Sequence, residues 1–182
     1  MKKETIVQFI CFDTTLAFDE FVLQWDQYAK GFKNPHIEVT LQQQTSTRNK
    51  FQYISKHKWP LDDFQFTFMK GRHSEYFPER QVKVLQAGGY MPIQVECKHD
   101  DDQQVKILVF LANLDTDISH YKELQSYRYL NIYQAYYESC VYDYILEFFV
   151  DEENATEFMT QLKTKTGSVE AGMYKECLVL AK

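Results

Sequence analysis

The chain has 182 residues, of which 45% are hydrophobic and 16% aromatic, which is ample for a packed core and excludes intrinsic disorder. Its formal net charge is −6. Because nucleic acids and anionic lipid surfaces are bound by clustered Lys and Arg, this charge argues against nucleic acid and membrane as partners.

The first part of the chain predicts the element order β-α-β-β-α-β. Residues 5–13 (TIVQFICFD) are a β-prone run, and residues 36–44 and 50–59 flank a short polar turn, as in a hairpin. Residues 81–96 return to a strand-like composition. Two helices are predicted between these strands from apolar residues at three- and four-residue steps: Phe18, Phe21, Val22, Trp25, Tyr28 and Phe32 in the first, and Leu61, Phe64 and Phe68 in the second.

The second part of the chain predicts the same order again. Residues 97–104 (CKHDDDQQ) lack apolar content and form the best candidate boundary. The elements predicted after it are strands at 105–112, 128–139 and 141–150, a short helix at 115–126, a longer helix at 151–167, and a last strand that includes 171–180.

A short phrase occurs in the last predicted strand of each part. Ala87–Glu96 reads AGGYMPIQVE and Ala171–Leu180 reads AGMYKECLVL, so both begin Ala-Gly and carry Tyr at the fourth position. The same phrase in the same slot predicts an internal duplication. We expect it to mark the entry to the strand, where Gly88 and Gly89 let the chain bend and the tyrosine anchors it.

The predicted fold class is α+β: two tandem ferredoxin-like βαββαβ units, at 1–98 and 104–182, packed sheet-to-sheet as an intramolecular α+β barrel. A βαββαβ unit places both helices on one face of its sheet and leaves the other face bare. Residues 142–149 are apolar on both sides of their strand, so the bare face must also be covered. We therefore expect neither unit to be stable alone.

Residues 50–96 resemble the antibiotic biosynthesis monooxygenase type of the dimeric α+β barrel superfamily. In that family a strand ends in Trp, an aromatic helix follows, and a His-x-x-x-Phe-like stretch precedes the last strand. Here the matching residues are Trp59, Phe64 to Phe68, and His73 with Phe77. The resemblance implies ferredoxin-like halves that build a barrel. It also implies a place among cofactor-free oxygenases of aromatic polyketides, haem-degrading enzymes, isomerases and members without known activity.

The resemblance does not extend to haem binding. The haem-degrading members use an Asn on the first strand, a Trp at the end of the third and a His on the second helix. Only Trp59 matches, because the first strand has no Asn and Met69 occupies the helical slot. We therefore expect no cofactor.

The candidate site lies in the first unit. His57 and Trp59 share one face of the predicted strand 50–59, and His73 follows the second helix. An imidazole beside a Trp can position a phenolic substrate and take its proton, after which oxygen attacks the carbanion. His57 and His73 are therefore the candidate catalytic bases. The residues predicted to wall the substrate are Trp59, Tyr53, Trp25 and Tyr28.

Two readings of the site stay open. In one, the protein is a monooxygenase-like barrel that binds a small aromatic or apolar molecule in the first unit, since Val150 replaces Trp59 in the second. In the other, Trp59 only packs the sheet against a helix, and the barrel is a non-enzymatic module for self-association. A homodimer is compatible with both readings.

Metal binding and an oxidising compartment are not expected. His99 and the three aspartates after it read as a solvated linker, and the other histidines lack ligand spacing. The four cysteines form no CxxC pair and match no zinc pattern, which indicates a reducing, cytoplasmic setting.

Overall fold

A computed structural model describes residues 4–31, 37–45, 50–68, 81–96, 104–112, 117–166 and 170–180. The strands are β1 (Thr5–Thr14), β2 (Glu38–Gln44), β3 (Tyr53–Pro60), β4 (Val82–Gln94), β5 (Gln104–Leu111), β6 (Tyr129–Ala135), β7 (Tyr144–Asp151) and β8 (Glu170–Leu180). The helices are α1 (Phe18–Gly31), α2 (Leu61–Phe68), α3 (Ser119–Lys122) and α4 (Ala155–Thr166). The predicted order of strands and helices is thus confirmed.

The strands form one closed antiparallel barrel in the order β1-β3-β2-β8-β5-β7-β6-β4. The prediction of two tandem ferredoxin-like units packed sheet-to-sheet is therefore wrong. Two packed sheets would each keep their own edges, whereas here every strand has two hydrogen-bonded neighbours. The internal duplication inferred from the Ala-Gly-x-Tyr phrases is not confirmed.

The long strand β4 explains the error. It has 13 residues, and its last part pairs with β6 rather than ending the first half of the chain. Tyr90 lies opposite Ala135 and Pro92 lies opposite Tyr133, with a shift in register between Pro92 and Gln94. Periodicity predicts that such a strand exists, but it does not say which neighbour the strand binds.

The chain divides into two compact units. Unit 1 comprises Met1–Gln43, Lys50–Gly89 and Glu176–Lys182, and unit 2 comprises Gln44–Asn49 and Tyr90–Lys175. The predicted domains, 1–98 and 104–182, stay a prediction.

In unit 1, helices cover one face of the sheet formed by β1, β3 and β2. Helix α1 buries Phe21, Trp25 and Tyr28 of its predicted apolar face, whereas Phe18, predicted on the same face, is 38% exposed. Trp25 meets Ser55 of β3, and Phe64 of α2 meets Trp59. Because side chains alternate along a strand, the odd-numbered residues of β3 face the helices and the even-numbered ones face away.

In unit 2, the helix-covered face is an apolar core. Phe148 of β7 packs against Phe158 of α4, with ring centroids 4.9 Å apart, and against Tyr127 at 5.2 Å. The other buried members of this cluster include Val105, Ile107, Val109, Leu130, Ile132, Leu146, Val150 and Leu162.

The two phrases fall inside strands, and their tyrosines, Tyr90 and Tyr174, are fully buried as expected. We expected the chain to bend at Gly88 and Gly89, but the register of β4 shifts further along, between Pro92 and Gln94. Gly89 has a different role: a Cβ there would lie 2.5 Å from the ring of Phe64. The missing side chain lets α2 pack closely on the sheet.

Candidate functional site

His57 occupies the middle of β3, between two strands of unit 1. It lies opposite Gln8 of β1 and Val39 of β2, and it is fully buried. Its odd position directs the imidazole toward the face covered by α1 and α2. The site therefore belongs to the sheet–helix interface of this unit.

A hydrogen-bond relay joins α1 to His57. The indole Nε1–H of Trp25 donates to Ser55 Oγ at 3.0 Å, and Ser55 Oγ lies 2.6 Å from His57 Nε2. An indole N–H can only donate, so Ser55 accepts from Trp25 and keeps its own hydrogen for the imidazole. The direction of the bond between Ser55 and His57 depends on the imidazole tautomer: Ser55 donates when Nε2 carries the lone pair and accepts when Nε2 carries the proton.

Trp59 lies next to His57 on the same face. The two rings are nearly parallel, at 16°, with centroids 6.3 Å apart. The indole of Trp59 donates to Gln8 Oε1 at 3.2 Å. The Trp59 and Phe64 rings pack edge-on, with their centroids 6.1 Å apart. Trp59 is 2% exposed, so both the hydrogen bond and the ring contacts fix its orientation.

Of the remaining predicted wall residues, the structure brings Trp25 and Tyr28 to the imidazole but not Tyr53. The Tyr28 ring lies 6.3 Å from the His57 ring, and Trp25 reaches it through Ser55. Tyr53 precedes His57 by four strand residues, about 13 Å along β3. It stacks on Phe21 instead, at 4.3 Å.

The surroundings of Tyr53 shift two pKa values. Burial, followed by the charge of a Cys177 thiolate, raises the pKa of the Tyr53 phenol, and a hydrogen bond with Gln43 lowers it in part. Burial also raises the pKa of the Cys177 thiol to about 11. Its Sγ donates to the carbonyl of Leu41 at 3.2 Å. Both groups therefore stay protonated near neutral pH and offer no base.

Two residues of the site were not assigned a role from the sequence. Ser55 was placed on the face of His57 and Trp59, but its link to Trp25 depends on how α1 packs on β3. Gln8 interrupts the apolar run TIVQFICF, yet it is 1% exposed. The sequence did offer one signal for Gln8: a polar residue at a strand position that faces the core needs a hydrogen-bond partner there, because buried amides require partners.

His73, the second predicted base, lies outside the described residues, as do His36, Phe77 and His99. Their predicted roles stay predictions. Among the residues that the structure does describe, no three His, Cys, Asp or Glu side chains come close enough together to hold a metal ion. No helix within those same stretches is long and apolar enough to cross a membrane.

The corresponding face of unit 2 carries apolar side chains at the described positions of its central strand, β7. Strand β7, like β3, pairs with a neighbour on each side. Phe148 of β7 lies between Ile107 and Leu130. It therefore holds the position that His57 holds between Gln8 and Val39. Two residues further on, Val150 stands where β3 has Trp59. The restriction of the site to one unit stays a prediction.

Comparison with solved structures shows the fold. An anthrone oxidase-like protein matches with a TM-score of 0.60 at 8% identity, over 98% of this chain and 93% of its own. A protein from Fusobacterium nucleatum subsp. nucleatum, named a "putative monooxygenase", matches at 0.60 and 10%, over 98% and 95%. A mutant chlorite dismutase from Candidatus Nitrospira defluvii matches at 0.59 and 8%, over 96% and 93%. The chain shares its barrel fold with these proteins.

This likeness shows the barrel fold and no more, so membership of the superfamily of dimeric α+β barrels stays a prediction. It does not support the narrower prediction of a tandem antibiotic biosynthesis monooxygenase. No protein-family model matches the sequence, and no curated protein matches it. At 8–10% identity the solved structures speak for the fold alone.

Proposed function

We propose that the protein is a monooxygenase-like barrel that binds a small aromatic molecule on the helix-covered face of unit 1 and oxidises it without a cofactor. The observation that carries the proposal is the buried relay from Trp25 through Ser55 to His57. On the matching face of unit 2, Leu146 and Phe148 occupy the positions of Ser55 and His57.

His57 is the proposed base. In the neutral tautomer whose Nε2 accepts from Ser55, Nε2 can take a proton when Ser55 passes one on from a substrate hydroxyl. A protonated His57 would donate from Nε2, and Ser55 would then accept from both Trp25 and His57. The hydroxyl of Ser55 can serve both states, because it can accept two hydrogen bonds as well as donate one.

The aromatic side chains are the proposed walls. Trp59 lies nearly parallel to His57, and Tyr28 lies tilted against it, so both present ring faces or edges to a flat substrate. The hydrogen bond from Trp59 to Gln8 fixes the indole before any ligand binds. His73 remains a second candidate base.

The proposed reaction follows the name of the anthrone oxidase-like neighbour. An anthrone has a methylene group that becomes acidic through its enol form. Loss of a proton to His57 leaves a carbanion, which gives electrons to molecular oxygen and forms a hydroperoxide. The hydroperoxide loses water, so one oxygen atom ends in the new carbonyl of the anthraquinone and the other in water. Dioxygen is the only oxidant that this balance requires.

The test is the oxygen-dependent conversion of anthrone to anthraquinone, followed by absorbance. We expect His57→Ala to lower the rate by about 10²–10⁴-fold, the usual contribution of a positioned base. His120→Ala is the matched control, because His120 is an exposed histidine paired with Asp117 in unit 2. Equal rates for wild type and His57→Ala, with both folded, would remove the mechanism. If His73→Ala lowers the rate and His57→Ala does not, then His73 is the base.

The tight packing of the site favours a second candidate, a non-enzymatic barrel that self-associates. His57 and Trp59 are 0% and 2% exposed, so neither ring is open to solvent. In unit 2, Ile93 and Val95 near the end of β4 are about half exposed, which supplies apolar surface for a second copy. Sedimentation of wild type and Ile93→Asp tests this candidate. A dimer that the variant abolishes supports it, and a wild-type monomer excludes it.

A further inference from the structure

The opposite face of the unit 1 sheet carries a pair of buried polar side chains that the proposed oxidation does not use. Thr40 and Gln42 lie on β2 and point away from α1 and α2, because Val39 and Leu41 share the face of His57 and Ser55. Thr40 is 7% exposed and Gln42 is fully buried.

Neither residue of this pair is satisfied. Within the described part of the chain, Gln42 Oε1, Gln42 Nε2 and the Thr40 hydroxyl have no hydrogen-bond partner. A buried polar group without a partner lowers the stability of the fold by about 1–3 kcal/mol. Three such atoms at neighbouring positions of one strand therefore destabilise it substantially unless something binds them. A bound molecule that pairs with them would recover that cost.

The neighbouring side chains define the rest of the surface. Thr40 lies opposite Lys56, and Lys56 lies opposite Phe9, with the Lys56 Nζ 5.8 Å from the centre of the Phe9 ring. Gln42 lies opposite Ile54 in the next row. The face thus offers polar groups on β2, the amine of Lys56 on β3, and the apolar side chains of Phe9 on β1 and Ile54 on β3.

We propose that this face of unit 1 binds a small, neutral molecule with a carboxamide or protonated carboxylic acid head group and a short apolar body. Such a head group places a donor beside an acceptor, which matches the Oε1 and Nε2 of Gln42, and the Thr40 hydroxyl takes a further bond. An ionised carboxylate accepts only and would leave Gln42 Oε1 unpaired. A cation would meet the ammonium of Lys56. The apolar body lies toward Ile54 and Phe9.

Benzamide is the probe, and N,N-dimethylbenzamide is its matched partner, since it keeps the carbonyl acceptor but has no N–H donor. Calorimetric titration of the full-length chain should show saturable binding of benzamide and at least tenfold weaker binding of the dimethyl analogue. Gln42→Met keeps the volume of the side chain without its polar atoms and should abolish binding. Gln43→Met is the control, because Gln43 lies on the other face of β2, and it should bind as wild type does.

Three results would overturn the site: no saturable binding of benzamide by wild type, equal binding by Gln42→Met, or a crystal grown with benzamide in which ordered water alone bonds to Gln42. If Gln42→Met does not fold, Thr40→Val replaces it and should weaken benzamide at least fivefold. His57→Ala should bind benzamide normally, so loss of anthrone oxidation and loss of this site are distinguishable.

Discussion

The two units use the same position of a central strand in opposite ways. In unit 1, β3 presents Ser55, His57 and Trp59 to its helices, whereas in unit 2, β7 presents Leu146, Phe148 and Val150. The unit 2 residues belong to an apolar core. The unit 1 residues are just as buried but are joined by directed hydrogen bonds. Burial alone therefore does not separate a structural face from a candidate site.

The difference has an energetic meaning. An apolar core tolerates swaps of similar volume, because dispersion and burial do not depend on direction. A buried polar relay is stable only while each member keeps its partner, and loss of one partner leaves the others uncompensated. We therefore expect the stability of unit 2 to fall when side-chain volume is lost, and that of unit 1 to fall when a hydrogen-bond partner is lost. The following predictions test that contrast.

The largest effect is expected in unit 2. Phe148→Ala should lower the free energy of unfolding by about 3–5 kcal/mol, because it opens a cavity between Phe158 and Tyr127. Phe148→Leu keeps most of the volume and should cost less than about 1.5 kcal/mol. Denaturant unfolding of both variants measures the difference. Equal losses would mean that volume does not govern this face.

The second prediction concerns buried polar side chains on the strand faces that point away from the helices, one set in each unit. In unit 2, buried Glu147 accepts hydrogen bonds from Tyr133 at 2.8 Å and from Asn131 at 3.1 Å. Tyr133→Phe should therefore cost about 1–3 kcal/mol of unfolding free energy, because it removes one partner from a buried acceptor. In unit 1, Gln42→Met removes atoms that have no partner and should be neutral or stabilising without ligand.

Tyr129→Phe is the control for Tyr133→Phe, because Tyr129 is 40% exposed and lies on the same strand. Its stability should stay within about 0.5 kcal/mol of wild type. A Tyr133→Phe variant as stable as this control would show that Glu147 does not depend on the phenol.

The fold and the site were predictable from sequence to different depths. The stripe of Phe21, Trp25 and Tyr28 was sufficient to predict α1 and its buried face, because helical periodicity is local. The pairing of β4 with β6 was not predictable, because both edges of a strand offer the same hydrogen-bonding groups. This is why two separate sheets were expected where one barrel forms.

The site shows the same limit. His57 and Trp59 could be placed on one strand face by counting residues, since side chains alternate with period two. The roles of Ser55 and Gln8 could not be assigned, because they depend on cross-strand register and on the approach of Trp25. Local patterns thus predict which residues share a face, and only packing shows which of them form a relay.

The third prediction tests the close approach of α2 in unit 1. Gly89→Ala places a methyl group within 2.5 Å of the Phe64 ring and should cost about 1–3 kcal/mol of unfolding free energy. Phe64→Leu shortens the opposing side chain, so the double variant should lose less than the sum of the two single variants. Additive losses would show that Phe64 does not occupy the space above Gly89.

The last prediction changes chemistry rather than stability. Burial raises the pKa of Cys177 from 9.0 to about 11, so the thiolate fraction at pH 8 falls about a hundredfold. Alkylation by iodoacetamide at pH 8, mapped by mass spectrometry, should therefore be about a hundredfold slower at Cys177 in the folded chain than after denaturation. The folded-to-denatured ratio should fall as the pH rises toward 11, because the folded thiol then ionises as well. A folded rate equal to the denatured rate would mean that the fold does not bury the Cys177 thiol enough to raise its pKa.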